Sequence, residues 1–166
     1  MLKKLYEENN LRKLGWVIAV GNMVMMLFSA NYFLNMAKFP IVPWLFFNAC
    51  FPSALIFLIG FFLKNRKAMA FSIPFLAYFG VGGMFIFSWS GGMIMAQISH
   101  IFMTLAIIYT ILEVIKNNEW KRSVFGFLAG LAVFFVILPV HKDYIKTHPE
   151  YLEKFGDPKF EKSINK

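Results

Sequence analysis

The sequence predicts an all-α integral membrane protein, a bundle of five transmembrane helices with a short polar C-terminal tail. Its 166 residues are 58% hydrophobic and only 16% charged, whereas about a quarter of the residues in a soluble domain are charged. The apolar residues form blocks of 18 or more, long enough to cross the hydrocarbon core of a bilayer. Most of the charged residues lie outside those blocks, at the two ends of the chain and in the links between the spans. At ~20 residues per span, the chain has room for five helices and no second domain.

The predicted spans cover about residues 15–34, 44–63, 68–88, 93–115 and 123–140. Pro40 and Pro43 separate the first two, because proline stops one helix and is tolerated in the first turn of the next. Pro52 lies inside the second span and leaves the Asn48 carbonyl without its helical hydrogen bond, which predicts a kink or, less favoured, a binding feature. Residues 1–140 therefore form a single bundle.

Basic residues predict the orientation. Ten lysines and arginines precede the first span or lie in the links between spans two and three and between spans four and five, against only Lys38 in the other links. The positive-inside rule then places the N-terminus in the cytoplasm and the C-terminus outside, in the cell (inner) membrane. The four tryptophans fall at predicted span ends, as in an aromatic belt. The extracytoplasmic tail covers residues 141–166 and is expected to contain a short helix.

Glycines predict where helices approach closely. Gly126 and Gly130 have the GxxxG spacing that lets another helix backbone come near. The adjacent Gly82 and Gly83 in the third span indicate either similar packing, which we favour, or an unwound segment at a transport site. The helix that meets the GxxxG face belongs to this chain, to a second copy or to another membrane subunit.

His100 is the main candidate for function, because an ionisable residue inside a membrane helix is costly and is often functional. At 100° per residue, Gln97 and Thr104 share its helix face. Asn31 and Asn48, in the first and second spans, are expected ~5 to 6 Å below the outer edge and His100 ~10 Å below it, so all three share the outer leaflet. We therefore expect these five residues to line an outward-facing polar pocket that binds or moves a small ligand. In the alternative interpretation they only form hydrogen bonds between helices, each worth about 0.6 kcal/mol.

Other functions have weaker support. The net charge of +8 is divided among short links, which argues against nucleic-acid binding and for the lipid bilayer as the partner. Cys50 is the only cysteine, so an intrachain disulfide and CxxC chemistry are excluded, and we interpret it as a small buried hydrophobe. No metal site and no cofactor are predicted. The second hypothesis is a non-catalytic accessory subunit of a larger membrane complex. The third is a haem protein in which His100 alone binds the iron, because His141 is expected to lie too close to the membrane surface to be the second ligand.

The sequence does not decide whether the protein is an enzyme. The predicted membrane interior has no carboxylate pair and no activated serine, and both absences favour a non-catalytic protein.

Overall fold

The structure, a computed structural model, describes residues 8–91, 93–155, 157 and 159. Helices account for almost all of these residues, and no strand occurs among them. The α-helices are α1 (Glu8–Asn31), α2 (Ile41–Phe47), α3 (Cys50–Phe62), α4 (Arg66–Phe75), α5 (Gly82–Ile86), α6 (Met93–Asn117), α7 (Trp120–Thr147) and α8 (Pro149–Phe155). A π-helix over Tyr32–Met36 extends α1, and a second over Leu76–Val81 joins α4 to α5.

The predicted all-α membrane bundle is confirmed. Four helical stretches are long and apolar enough to cross a membrane, and α2 with α3, bent by 79°, gives a fifth when the pair is counted as one span. Large apolar side chains remain exposed on the outer faces, as expected where the solvent is hydrocarbon. The four unbroken stretches are Asn9–Met36, Arg66–Ile86, Met93–Asn117 and Trp120–Thr147.

The core lies between α1, α3, the second π-helix and α6. Phe57 of α3, Leu76 of the π-helix and Met103 of α6 are completely buried there. Helix α7 packs mainly against α4, outside this core. A second, smaller apolar cluster consists of Phe33, Phe39, Phe47 and Ile145, so α7 also contributes to the buried interior.

The contact between α7 and α4 uses the GxxxG face. A Cβ atom added at Gly126 would overlap the carbonyl oxygen of Lys67, and one added at Gly130 would overlap that of Phe71. The two helix backbones are therefore in direct contact, and this face serves packing within the chain. Gly82 differs, because an added Cβ there would meet only Ala77 O of its own segment, at 3.8 Å.

Contacts between the helix ends define two ends of the bundle. At the basic end, defined here by the α3–α4 turn and the α6–α7 turn, Arg66 forms ion pairs with Glu113 at 3.1 Å and Glu119 at 2.7 Å. At the opposite end, Lys154 donates to the carbonyl oxygen of Lys38 at 3.4 Å. The chain passes from one end to the other between Lys38 and Arg66, so α2 and α3 form a broken span.

The break lies at Asn48 and Ala49, just before the predicted kink residue Pro52. Because Pro52 has no N–H, the Asn48 carbonyl needs another donor. The backbone N–H of Phe51 supplies it at 2.9 Å. The side chain of Ser53 donates to the Ala49 carbonyl at 2.7 Å. The carbonyl groups at the break are thus satisfied locally.

The C-terminal region is more ordered than a simple tail. Helix α7 continues to Thr147, past the predicted span end at residue 140, and α8 supplies the expected short helix. Asp157 is buried and accepts hydrogen bonds from the backbone N–H and hydroxyl of Ser88, at 2.9 and 2.7 Å. The tail therefore folds back onto the loop between α5 and α6.

Candidate functional site

Three polar side chains form a hydrogen-bonded row near the opposite end of the bundle. Gln97 and His100 lie one turn apart on α6, and Oε1 of Gln97 is 3.1 Å from Nδ1 of His100. Nε2 of His100 is 3.4 Å from Sγ of Cys50, the first residue after the break in the second span. The row therefore joins α6 to the start of α3.

The surroundings of Gln97 fix the direction of these hydrogen bonds. Its Nε2 atom donates to the carbonyl oxygen of Phe87 at 2.9 Å, and the carbonyl oxygens of Met84 and Ser88 lie within 3.4 Å. Three acceptors on one side require the NH₂ group there, so Oε1 faces His100 and accepts from Nδ1–H. In the neutral imidazole Nε2 is then an acceptor. The Cys50 thiol has one hydrogen and two acceptors within reach, Nε2 of His100 at 3.4 Å and the carbonyl oxygen of Phe79 at 3.7 Å.

His100 is enclosed by the chain. It is 1% exposed, and the ring of Phe87 stacks on it with centroids 5.4 Å apart. A Cβ atom added at Gly83 would lie 2.6 Å from Cε1 of the imidazole. The glycine thus makes room for the ring, which touches neither lipid nor solvent.

A cavity of about 420 Å³ adjoins this row. Cys50, Gly83 and Phe87, which contact His100, form part of its wall. Most of the remaining wall is aromatic or aliphatic, and the polar side chains come mainly from α7. The apolar lining includes Phe46, Phe47, Phe79, Ile86 and Ile145, and the polar lining from α7 consists of His141, Lys142 and Lys146.

His141 contributes a hydrogen-bond acceptor to the region of the cavity. Its Nε2 donates to the carbonyl oxygen of Phe46 at 2.9 Å, so Nδ1 carries the lone pair in the neutral ring. Nδ1 is buried and has no hydrogen-bond partner among the described residues. A ligand hydroxyl or protonated acid group is a suitable donor to such an atom.

The structure brings together only some of the predicted site residues. Gln97 and His100 contact each other, whereas the Thr104 hydroxyl donates to the His100 carbonyl within the same helix, at 2.9 Å. Asn31 is exposed and accepts from Asn35 at 2.9 Å. Asn48 is buried at the break, and its Nδ2 has no partner among the described residues.

None of the five predicted residues lines the cavity; His100 lies behind Cys50, Gly83 and Phe87. The sequence interpretation treated Cys50 as a buried hydrophobe and gave His141 no ligand role. A signal for Cys50 exists in the sequence, since it lies two residues before a proline that interrupts a membrane span. Irregular backbone at membrane depth occurs where it is buried in protein or lines a cavity.

Metal and haem ligation have little support in this arrangement. The described residues contain no group of three or more His, Cys, Asp or Glu side chains able to hold a metal ion. Both ring nitrogens of His100 take part in hydrogen bonds, so coordination of an iron would have to replace the contact with Gln97 or Cys50.

Comparison of the chain with protein-family models, with curated proteins and with solved structures found no match.

Proposed function

We propose that this protein binds a single-tailed amphiphile with a negatively charged head group, such as a fatty acid, in the cavity beside Cys50. The composition of the cavity wall carries the proposal: aromatic and aliphatic side chains surround most of it, and two exposed lysines, Lys142 and Lys146, line it from the end of α7. Its volume is within the range of about 300–1,000 Å³ common for small-molecule sites.

Each part of the wall suits one part of such a ligand. An apolar tail gains about 25 cal/mol for each Å² that it removes from water against Phe46, Phe79 and Phe87. The ammonium groups of Lys142 and Lys146 attract a carboxylate, and charge-assisted hydrogen bonds are stronger than neutral ones. The broken span also supports the proposal, because discontinuous helices often form binding sites in membrane proteins.

In this proposal His100 positions the residues that form the cavity wall. Its ring supports Phe87 and Gly83 from behind, and its Nε2 lies 3.4 Å from the Cys50 sulfur. A polar pocket around His100 was expected; we propose instead a mainly apolar cavity for which His100 is a positioning residue.

We also propose that the basic end faces the cytoplasm and that the cavity lies in the outer half of the bilayer, on the basis of the ten-to-one distribution of basic residues. In a Cys50→Ala background, Ser163→Cys should react with a membrane-impermeant maleimide in intact cells, and Lys64→Cys should react only after lysis. The reverse pattern would contradict this orientation.

Cys50 gives a direct readout of ligand binding, because it lines the cavity and is the only cysteine. In detergent, dodecanoate should slow the alkylation of Cys50 by iodoacetamide, measured by intact mass. Dodecanol, which has the same tail without the charge, should protect only at higher concentration. Absence of protection by either compound would contradict the cavity proposal.

Matched variants distinguish the contribution of the ligand's charged head group to binding from that of its apolar chain. Replacing Lys142 and Lys146 by Gln should weaken dodecanoate binding roughly five- to tenfold and leave dodecanol binding unchanged, since exposed ion pairs contribute up to ~1 kcal/mol each. The control is Lys121→Gln with Arg122→Gln, which removes two exposed positive charges at the basic end. Equal losses in both double variants would show that the lysines at the cavity have no specific role.

A further inference from the structure

A second cavity, of about 410 Å³, lies at the basic end between α1, α3, α4 and α6. Four basic side chains from four separate segments line it. Arg12 comes from α1, Lys64 from the α3–α4 turn, Arg66 from the start of α4 and Lys116 from the end of α6. Glu113 is the only carboxylate among its lining residues.

The charge of Glu113 is already compensated. Its carboxylate accepts from Arg66 Nε and Asn117 Nδ2, both at 3.1 Å, and from the Tyr109 hydroxyl at 3.3 Å. Arg66 also pairs with Glu119 at 2.7 Å. Arg66 therefore has a structural role, as the link between α4 and the end of α6.

The other three cations have no such compensation. Arg12, Lys64 and Lys116 form no ion pair with any carboxylate in the part of the chain that the structure describes. Like charges gathered at one cavity repel one another unless an anion joins them. The lining thus leaves three positive charges available to a ligand.

The backbone fixes the position of Lys64. This residue has φ 50°, a left-handed conformation, and its N–H donates to the Phe61 carbonyl at 3.0 Å. The N–H of Asn65 donates to the Gly60 carbonyl at 2.8 Å, and its side chain accepts from the N–H of Ala68 at 3.1 Å. The α3–α4 turn is therefore a defined structure that holds Lys64 beside the cavity.

One edge of the cavity is apolar and exposed to the surroundings of the bundle. Trp16 packs edge-on against Phe61 and Phe62, with ring centroids 5.5 and 5.9 Å apart. Trp16 is 50% exposed and Phe62 is 51% exposed, and both line the cavity. An indole ring at this position is typical of the level of the lipid head groups.

We infer that this cavity binds the head group of an anionic phospholipid. The phosphate would lie between Arg12, Lys64 and Lys116, and the acyl chains would follow the exposed surface of Trp16 and Phe62. A soluble phosphate would use the cations alone, whereas the adjoining apolar edge favours a ligand with a tail. This site is separate from the cavity at the opposite end and does not depend on the function proposed there.

The test measures binding of dioctanoyl phosphatidylglycerol to the delipidated protein by native mass spectrometry, with dioctanoyl phosphatidylcholine and inorganic phosphate as comparison probes. Phosphatidylglycerol should bind at least tenfold more tightly than phosphatidylcholine. Replacing Arg12, Lys64 and Lys116 by Gln should weaken it by at least tenfold, since each basic residue near an anionic head group contributes roughly fivefold.

The control variant carries Lys13→Gln, Lys121→Gln and Arg122→Gln, three exposed basic residues near the same end that do not line the cavity. Its affinity should stay within about twofold of the wild type. Lys116→Gln alone should cost roughly fivefold and guards against misfolding of the triple variant. Equal losses in the two triple variants, or equally tight binding of inorganic phosphate, would overturn the lipid assignment.

Discussion

Replacing Gly126 and Gly130 together by alanine should lower the free energy of unfolding by about 2–6 kcal/mol, because overpacking typically costs 1–3 kcal/mol per site. An added methyl group at either position would overlap a carbonyl oxygen of α4, that of Lys67 or Phe71. Backbone cannot change rotamer to avoid a methyl group, so α4 and α7 would have to move apart. The loss should be visible as an earlier transition in an SDS titration followed by circular dichroism.

Gly82→Ala is the matched control, since its added methyl group would meet only Ala77 O at 3.8 Å. Alanine is favoured over glycine in helices by about 1 kcal/mol, so this variant should be at least as stable as the wild type. If the double variant and the control unfold at the same SDS concentration, the close contact between α4 and α7 is wrong.

His100→Ala should lower the free energy of unfolding by about 2–4 kcal/mol. The substitution removes a buried ring from beside Phe87 and Gly83, and it leaves Oε1 of Gln97 without its donor. Both a cavity and an unpaired buried acceptor are therefore created. The same SDS titration measures the loss, and thermal unfolding provides a second readout.

Two further variants separate the contribution of the ring volume to stability from that of the hydrogen bonds. His100→Phe keeps most of the ring volume and loses the hydrogen bonds, so its stability should lie between that of the wild type and that of His100→Ala. Thr104→Val should be nearly neutral, because the Thr104 hydroxyl bonds only to its own helix. Loss of dodecanoate binding by His100→Ala at unchanged stability would instead show that the ring contacts the ligand directly.

The helices were largely predictable because the bilayer imposes the same requirement on every span. The fourth predicted span, residues 93–115, differs from α6 only at its end, where the helix continues to Asn117. The end of α7 was not predictable from hydropathy, since the helix continues through polar residues to Thr147. Beyond the hydrocarbon, helix length depends on local contacts, such as the bond from the Thr147 hydroxyl to the Asp143 carbonyl.

The site was harder to predict, because a helical wheel gives the faces of one helix and not its rotation against the others. Gln97 and His100 share a face and do meet, but the partner is Cys50 from the break in the second span. Short polar side chains such as Thr104 can be satisfied by their own helix, so they need not point to a site. The space for the imidazole depends on Gly83, which is distant in sequence.

The broken second span has a consequence for the surrounding lipid. Helix α3 has 13 residues, so it is only ~20 Å long at 1.5 Å per residue, and α2 turns away from it by 79° and adds little length along the same axis. The hydrocarbon core of a typical bilayer is about 30 Å thick. Leu55, Ile59 and Phe62 of α3 are exposed on the outside of the bundle, and so are Ile41, Val42 and Leu45 of α2. The apolar surface on this side therefore turns at the break and does not follow one helix axis. Lipid beside α3 therefore meets a shorter unbroken helix than lipid beside the other four spans, and we expect its chains to shorten there or to follow the apolar surface of α2.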